Sequence, residues 1–230
     1  MYLSRIQLNP RRRDAWRLLG SPQRMHAAVL QSFPDPPTGA LDGRPRVLWR
    51  LDNDQDRVFL YVVSPGQPDF AHLAEQAGWP TTERGVSRVY GEFLDQLAVG
   101  QRWAFRLAAN PTRYVVAKEG GRAKRLAHVT VRQQEAWFSE KAAASGFRVT
   151  TTTRSTVDDG LAVEIPELAV TRRATHTFDR QGSFAPVTIG IAQFDGRLEV
   201  TDEAVLRRAL TVGIGAAKAY GCGLMTLARV

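Results

Sequence analysis

The order of strand and helix signals along the chain predicts an α+β protein of two tandem ferredoxin-like βαββαβ domains, residues 1–97 and 98–230. Signals reading βαββαβ fill the first 97 residues, and a second set in the same order fills the rest. A length of 230 residues suits two cores of roughly 100 residues each. No residue-level repeat relates the halves, so the duplication is one of topology.

Tyr2 to Leu8 alternates apolar and polar residues as a half-buried strand does, and Asn9-Pro10 ends it before a basic, partly apolar run to Leu19. Ser21-Pro22 reads as an N-cap followed by proline at the first helical position, opening a helix to about Phe33, where Pro34, Pro36 and Pro37 close it. Val47–Leu51 and Val58–Val63 form a predicted hairpin around the polar turn 52–57. Asp69 to Ala77 is a short helix stopped by Gly78, and a strand between Val86 and Phe93 completes the unit. This arrangement is also the one that RNA-recognition domains use.

The second half opens with a strand at Trp103–Leu107, then a flexible basic loop interrupted by Gly120-Gly121. A helix over Val131–Ser145 and a β-branched strand over Phe147–Thr153 follow. Val163–Phe178 and Phe184–Phe194 are expected to pair around Arg180-Gln181-Gly182, with Leu198–Val200 continuing the sheet. Asp202 caps a helix over Glu203–Thr211 with Ala204, Val205, Ala209 and Val212 on its apolar side, and Leu224–Val230 is the closing strand.

The formal charge of +8 points to an anionic partner, and its distribution says where. Residues 1–50 carry nine Lys/Arg against three Asp/Glu, residues 51–100 three against eight, and residues 101–130 seven against one. The block containing Arg113, Lys118, Arg122, Lys124 and Arg125 could follow a phosphate backbone, or be an ordinary solvated loop. No stretch approaches the ~20 apolar residues of a bilayer span, and Met1–Arg5 lacks a signal peptide's apolar core, so a soluble cytoplasmic protein is expected. Cys222 is the only cysteine, which excludes an internal disulfide and a cysteine metal cage.

Two local features bear on chemistry. Between 213 and 224, Gly213, Gly215, Gly221 and Gly223 let the backbone approach a partner closely, and Lys218 adds a cation, so either an anion site or a glycine-dependent helix-to-strand turn fits. A dinucleotide loop or P-loop is excluded, because these glycines follow a helix and precede a strand, and Lys218 lacks the flanking Gly and Ser/Thr. His26 lies at the edge of the Met25, Val29, Phe33 stripe and can exchange a proton near neutral pH; the plainer alternative is a half-buried helix histidine. No GxSxG elbow, HExxH helix or EF-hand loop is present, and the Asp52, Asp54, Asp56 run reads as an acidic hairpin turn.

Met1-Tyr2-Leu3-Ser4-Arg5, His26, Leu107-Ala108-Ala109-Asn110-Pro111, Ala136-Trp137-Phe138, Phe194-Asp195-Gly196-Arg197-Leu198-Glu199-Val200 and the segment 213–228 together resemble the CasE family, in the family's order. The resemblance implies a metal-independent, cofactor-free endoribonuclease that cleaves the CRISPR repeat transcript at the base of its stem-loop, then stays bound as a subunit of Cascade. It maps the family's catalytic histidine onto His26. Where family members usually carry tyrosine three positions earlier, this chain has Gln23, which cannot transfer a proton, and the Leu-Arg-Ala-Asn-Pro run has Ala108 in place of its arginine. Arg106 or Arg113 could supply that cation. Arg113, Lys118, Arg122, Lys124 and Arg125 would grip the stem, with Arg172, Arg173 and Arg180 within reach of base edges. The alternative is a hairpin-binding module with weak or no cleavage.

Overall fold

Tyr2–Leu8 (β1) lies at the centre of an antiparallel sheet, between Arg57–Ser64 (β3) and Val86–Val89 (β4), and Leu48–Asp54 (β2) completes the order β2-β3-β1-β4. The structure, a computed structural model, describes residues 1–35, 44–81, 84–115, 124–155, 162–178 and 186–230. Helices Arg13–Leu19 (α1), Pro22–Leu30 (α2) and Ala71–Ala77 (α3) make the crossovers. β3 is inserted between β1 and the parallel β2, which is the split βαβ arrangement of a ferredoxin-like unit.

The period-2 pattern of these strands gives the sheet two faces. Ile6, Leu8, Trp49, Leu60 and Val62 bury against the helices, while Leu48 and Val63 join a second core made mostly by the C-terminal half. The basic run before Ser21 proves helical as α1. β4 stops at Val89, because the Tyr90 N–H bonds to Met1 O at 2.8 Å and Gly91–Asp95 (α4) follows, placing Tyr90 and Leu94 in the shared core.

Arg102–Ala109 (β5), Thr112–Val115 (β6), Lys124–Ala127 (β7), Val131–Ala143 (α5), Phe147–Val149 (β8), Thr151–Ser155 (β9), Ala162–Pro166 (β10), Leu168–Phe178 (β11), Val187–Val200 (β12), Glu203–Val212 (α6) and Met225–Ala228 (β13) complete the chain, with a 3₁₀ turn at Lys218–Tyr220. The main sheet runs β11-β12-β5-β13, and β8 shares with β11 the outer edge of the long β12. This repeats the ferredoxin-like order, with β6–β7 and β9–β10 added as separate two-stranded sheets.

Further expectations change in detail. The basic segment read as a loop is bounded by the paired strands β6 and β7, while Lys118 and Arg122 lie outside the described residues. Phe147–Thr153 divides at Thr150 into β8 and β9, and Val163–Phe178 divides at Glu167 into β10 and β11. At that crossing the Thr150 N–H bonds to Arg197 O, the Glu167 N–H to Thr150 O and the Arg197 N–H to Glu167 O, at 3.1, 2.8 and 2.9 Å. Gly196 permits it, since a Cβ there would lie 2.2 Å from the Glu167 carbonyl oxygen. The buried side of α6 is Leu206, Leu210 and Thr211, with Ala204 and Val205 exposed, although Asp202 caps the Val205 N–H as expected at 2.9 Å.

The two sheets are joined by Arg50, which is 1% exposed. Its Nε and Nη2 donate to the two carboxylate oxygens of Asp52 at 2.6 and 2.8 Å, Nη1 donates to Arg106 O and Leu224 O at 2.7 and 3.1 Å, and Nη2 also reaches Thr226 Oγ1 at 2.8 Å. All five guanidinium N–H groups are thereby used. Asp52 is therefore half of a buried ion pair rather than part of a solvated turn, while Asp54 pairs with Arg57 at the hairpin end. Arg50→Leu leaves the Asp52 carboxylate buried without its main partner and is expected to cost about 3–5 kcal/mol in urea unfolding, whereas Arg50→Leu combined with Asp52→Leu should cost less. A single-variant effect below about 1 kcal/mol would contradict the joining role.

Candidate functional site

α2 begins as its sequence dictates: Ser21 Oγ accepts the Arg24 N–H at 3.3 Å, and Pro22 occupies the first turn where no N–H is needed. Pro22, Met25, Ala28 and Val29 are buried, and His26 is half-buried at the edge of that stripe. Its Nδ1 accepts a hydrogen bond from the Trp49 indole N–H at 3.4 Å. Burial lowers the imidazole pKa from its ordinary 6.5, which favours the neutral ring.

Trp49 is itself 2% exposed on β2, and the glycine-rich end lies against it. Gly221 has φ +80°, and a Cβ there would come within 2.7–3.2 Å of three Trp49 ring carbons. Gly215 meets the Trp137 ring in the same way, Gly213 meets Leu48, and Gly223 meets the Ile214 backbone and the Lys218 stem. The glycines are thus required by packing, and the run places the Lys218–Tyr220 turn against α2 and β2. Cys222 within it is buried, which pushes its thiol pKa up to about 12.

Beside Trp49, a cleft of about 160 Å³ separates Pro22, Met25 and Trp49 from Arg172, His176 and Gln193 of the C-terminal sheet. Tyr220 also lines it and packs on Phe178 of β11, ring centroids 4.9 Å apart. Burial, then the neighbouring Arg172 charge, lowers the His176 pKa. Arg172 lines this cleft directly, His26 adjoins it through Met25 and its bond to Trp49, and the Lys218–Tyr220 turn adjoins it through Tyr220.

The other predicted residues are spread more widely. Arg172 and Arg173 are strand neighbours and face opposite sides, so Arg173 donates to Val129 O at 3.2 Å over a second cavity lined by His128, Gln134 and Gly190. Arg113 is exposed on β6, and Arg125 on β7 lies over the Tyr114 ring, 4.8 Å from its centroid, and donates to the Tyr114 hydroxyl. Lys124 opens β7, and Arg180 lies outside the described residues. Arg106 is held by Asp195 at 2.6 Å and faces Asp52 at 3.6 Å, so its charge is already balanced by acids. Trp49 and Arg50 were not legible as site or hub residues. The usable signal was opposite charge at Arg50 and Asp52, two residues apart on a strand and so on one face.

Comparison with known proteins accords with this architecture. A family model described as CRISPR associated protein matches residues 1–229. The chain is 30% identical over 236 residues, 99% of its own length and 100% of the relative's, to the CRISPR-associated endoribonuclease Cse3 of Thermus thermophilus. A structure of the CRISPR endoribonuclease Cse3 bound to 19 nt RNA matches at 27% identity with a TM-score of 0.76, covering 100% of both chains. Thermus thermophilus Cse3 bound to an RNA representing a pre-cleavage complex matches at 28% identity and a TM-score of 0.74, covering 99% of this chain and 98% of that one. From its first strand to its last, this chain belongs to the family of CRISPR associated proteins, in keeping with its resemblance to CasE.

Proposed function

We propose that the protein is an endoribonuclease that binds the CRISPR repeat stem-loop and cleaves the precursor transcript at the base of the stem. The full-length similarity to a protein named an endoribonuclease carries this reading, and the half-buried His26 beside a cleft between the sheets supports it. The ribose 2′-hydroxyl attacks the adjacent phosphorus and the bond to the 5′-oxygen breaks. The 2′ proton departs as the 5′-oxygen gains one, leaving a 2′,3′-cyclic phosphate and a 5′-hydroxyl. His26 acts as general acid or general base, and no metal enters the step.

Arg172 in the wall of the cleft and Lys218 on the turn that contacts α2 would stabilise charge on the phosphorane. Arg113, Lys118, Arg122, Lys124 and Arg125 would bind the stem through its phosphates, with Arg173 and Arg180 within reach of base edges. Holding one linkage in line at a rigid stem supplies a further share of the rate. The division into domains 1–97 and 98–230, retention of the product and assembly into Cascade complete the proposal. Gln23, in place of a proton-transferring side chain, favours a second reading in which the chain binds the hairpin without efficient cleavage.

Repeat RNA incubated with the protein in excess EDTA should be cut, and His26→Ala should abolish cutting while binding persists. An intact, retarded band with the unsubstituted protein would establish the binding-module reading instead, and cutting that needs added Mg²⁺ would rule out the proposed chemistry. Neutralising Lys124 and Arg125 together should reduce the log–log salt slope of RNA binding by about one to two units. An unaltered slope would place the phosphates elsewhere.

A further inference from the structure

We infer that Trp49 is a positioning residue for His26, fixing by its indole N–H both the orientation of the ring and the nitrogen that carries its proton. The inference rests on the catalytic reading of His26 and deepens it. An indole nitrogen can only donate, so at 3.4 Å from Nδ1 it requires Nδ1 to be the bare, accepting nitrogen of the neutral ring. The proton then resides on Nε2. An imidazolium carries protons on both nitrogens and cannot accept from Trp49, so the same contact selects against the charged ring.

The indole has little freedom to move away. Trp49 is in the interior core with Met25 and Val29 of α2, and its ring covers Gly221, where the absence of a Cβ leaves it room. Three remote segments thereby converge: α2 carries the imidazole, β2 carries its donor, and the glycine-rich end accommodates the donor's ring. The chemical consequence is directional. With Nδ1 occupied, Nε2–H presents a hydrogen-bond donor suited to a phosphoryl oxygen. Transfer of a proton to the leaving 5′-oxygen requires the ring first to gain a second proton at Nδ1, which breaks the Trp49 bond, since a neutral ring that gave up its Nε2 proton would be left an imidazolate. Acceptance of the 2′ proton at Nε2 would first require the tautomer to exchange and the Trp49 bond to break.

The test replaces only the donor. Benzothienylalanine incorporated at position 49 keeps the ring outline and lacks the N–H; Trp49→Phe is the simpler companion. In the unsubstituted protein, ¹⁵N spectra of the His26 ring without RNA should show one tautomer, with bare Nδ1 and protonated Nε2. Removal of the donor should mix the tautomers and slow cleavage of repeat RNA by about 10- to 100-fold at unchanged RNA affinity, by analogy with the groups that orient metal-bound imidazoles. A protonated Nδ1 in the unsubstituted protein overturns the inference. So does an unchanged rate with benzothienylalanine while His26→Ala is inactive. Cleavage by His26→Ala at the normal rate would instead refute the catalytic reading, and it is distinguishable because the ring spectrum is recorded independently of cleavage.

Discussion

The relative placement of the two sheets depends on a guanidinium held where water cannot reach it. Burying a charge is costly unless the protein supplies the hydrogen bonds that water would otherwise make, and Arg50 satisfies all five of its donors with Asp52, Thr226 and two backbone carbonyls. Three of those partners, the Arg106 and Leu224 carbonyls and the Thr226 hydroxyl, belong to the C-terminal half. Arg106 extends the network to Asp195, which Thr171 and Gln193 also approach at 2.6 and 2.9 Å. Burial alone would raise the Asp195 pKa, but hydrogen bonds from Arg106, Thr171 and Gln193 outweigh it and hold the carboxyl below its ordinary range. Apolar packing of Leu48 and Val63 on the second core tolerates small slides; a directional network of this kind does not.

That constraint determines what lies beside His26. Trp49 and Arg50 are consecutive on β2 and point to opposite faces, one toward the helices and the other toward the second sheet. Fixing Arg50 therefore fixes the strand from which Trp49 reaches the imidazole. The same placement brings Gln193, which contacts Asp195, to the wall of the cleft shared with Arg172 and His176. The glycine-rich end completes the arrangement. Its glycines are needed for contact with Leu48, Trp137 and Trp49, large side chains contributed by both halves.

Local chemistry was legible wherever it determined local structure. Ser21-Pro22 is a clear case: cap and proline place the start of α2, and the Met25–Val29 stripe places His26 at its margin. The capping Asp202 and the hairpin of β2 and β3 are equally local. The division of the long β-rich runs was hidden because it arises where Thr150, Glu167 and Gly196 cross, and those positions are far apart in sequence. On α6, Ala204 and Val205 are apolar enough to suggest a face, but Leu206 and Leu210 bury more surface and decide the rotation. The contact between Trp49 and His26 joins a strand to a helix across 23 positions, and no spacing rule foretells it.

The net charge of +8 is also divided by the fold into two populations. Arg50 and Arg106 are engaged with Asp52 and Asp195, Arg102 and Arg148 share Glu199, and Arg197 pairs with Glu167. These arginines join strands to one another, and their charge is balanced within the molecule. Among the described residues, no ion pair engages Arg113 on β6, Arg125 on β7, or Arg172 and Arg173 on β11, all of which are exposed. Since an acid already paired at close range contributes little field beyond a Debye length, the excess positive potential belongs to the arginines outside these pairs. Arg172 and Arg173 place it on opposite faces of β11, and Arg113 and Arg125 on the separate β6–β7 sheet. The exposed Arg13 of α1 and Arg24 of α2, which no ion pair among the described residues engages either, carry it onto the helical face of the N-terminal half.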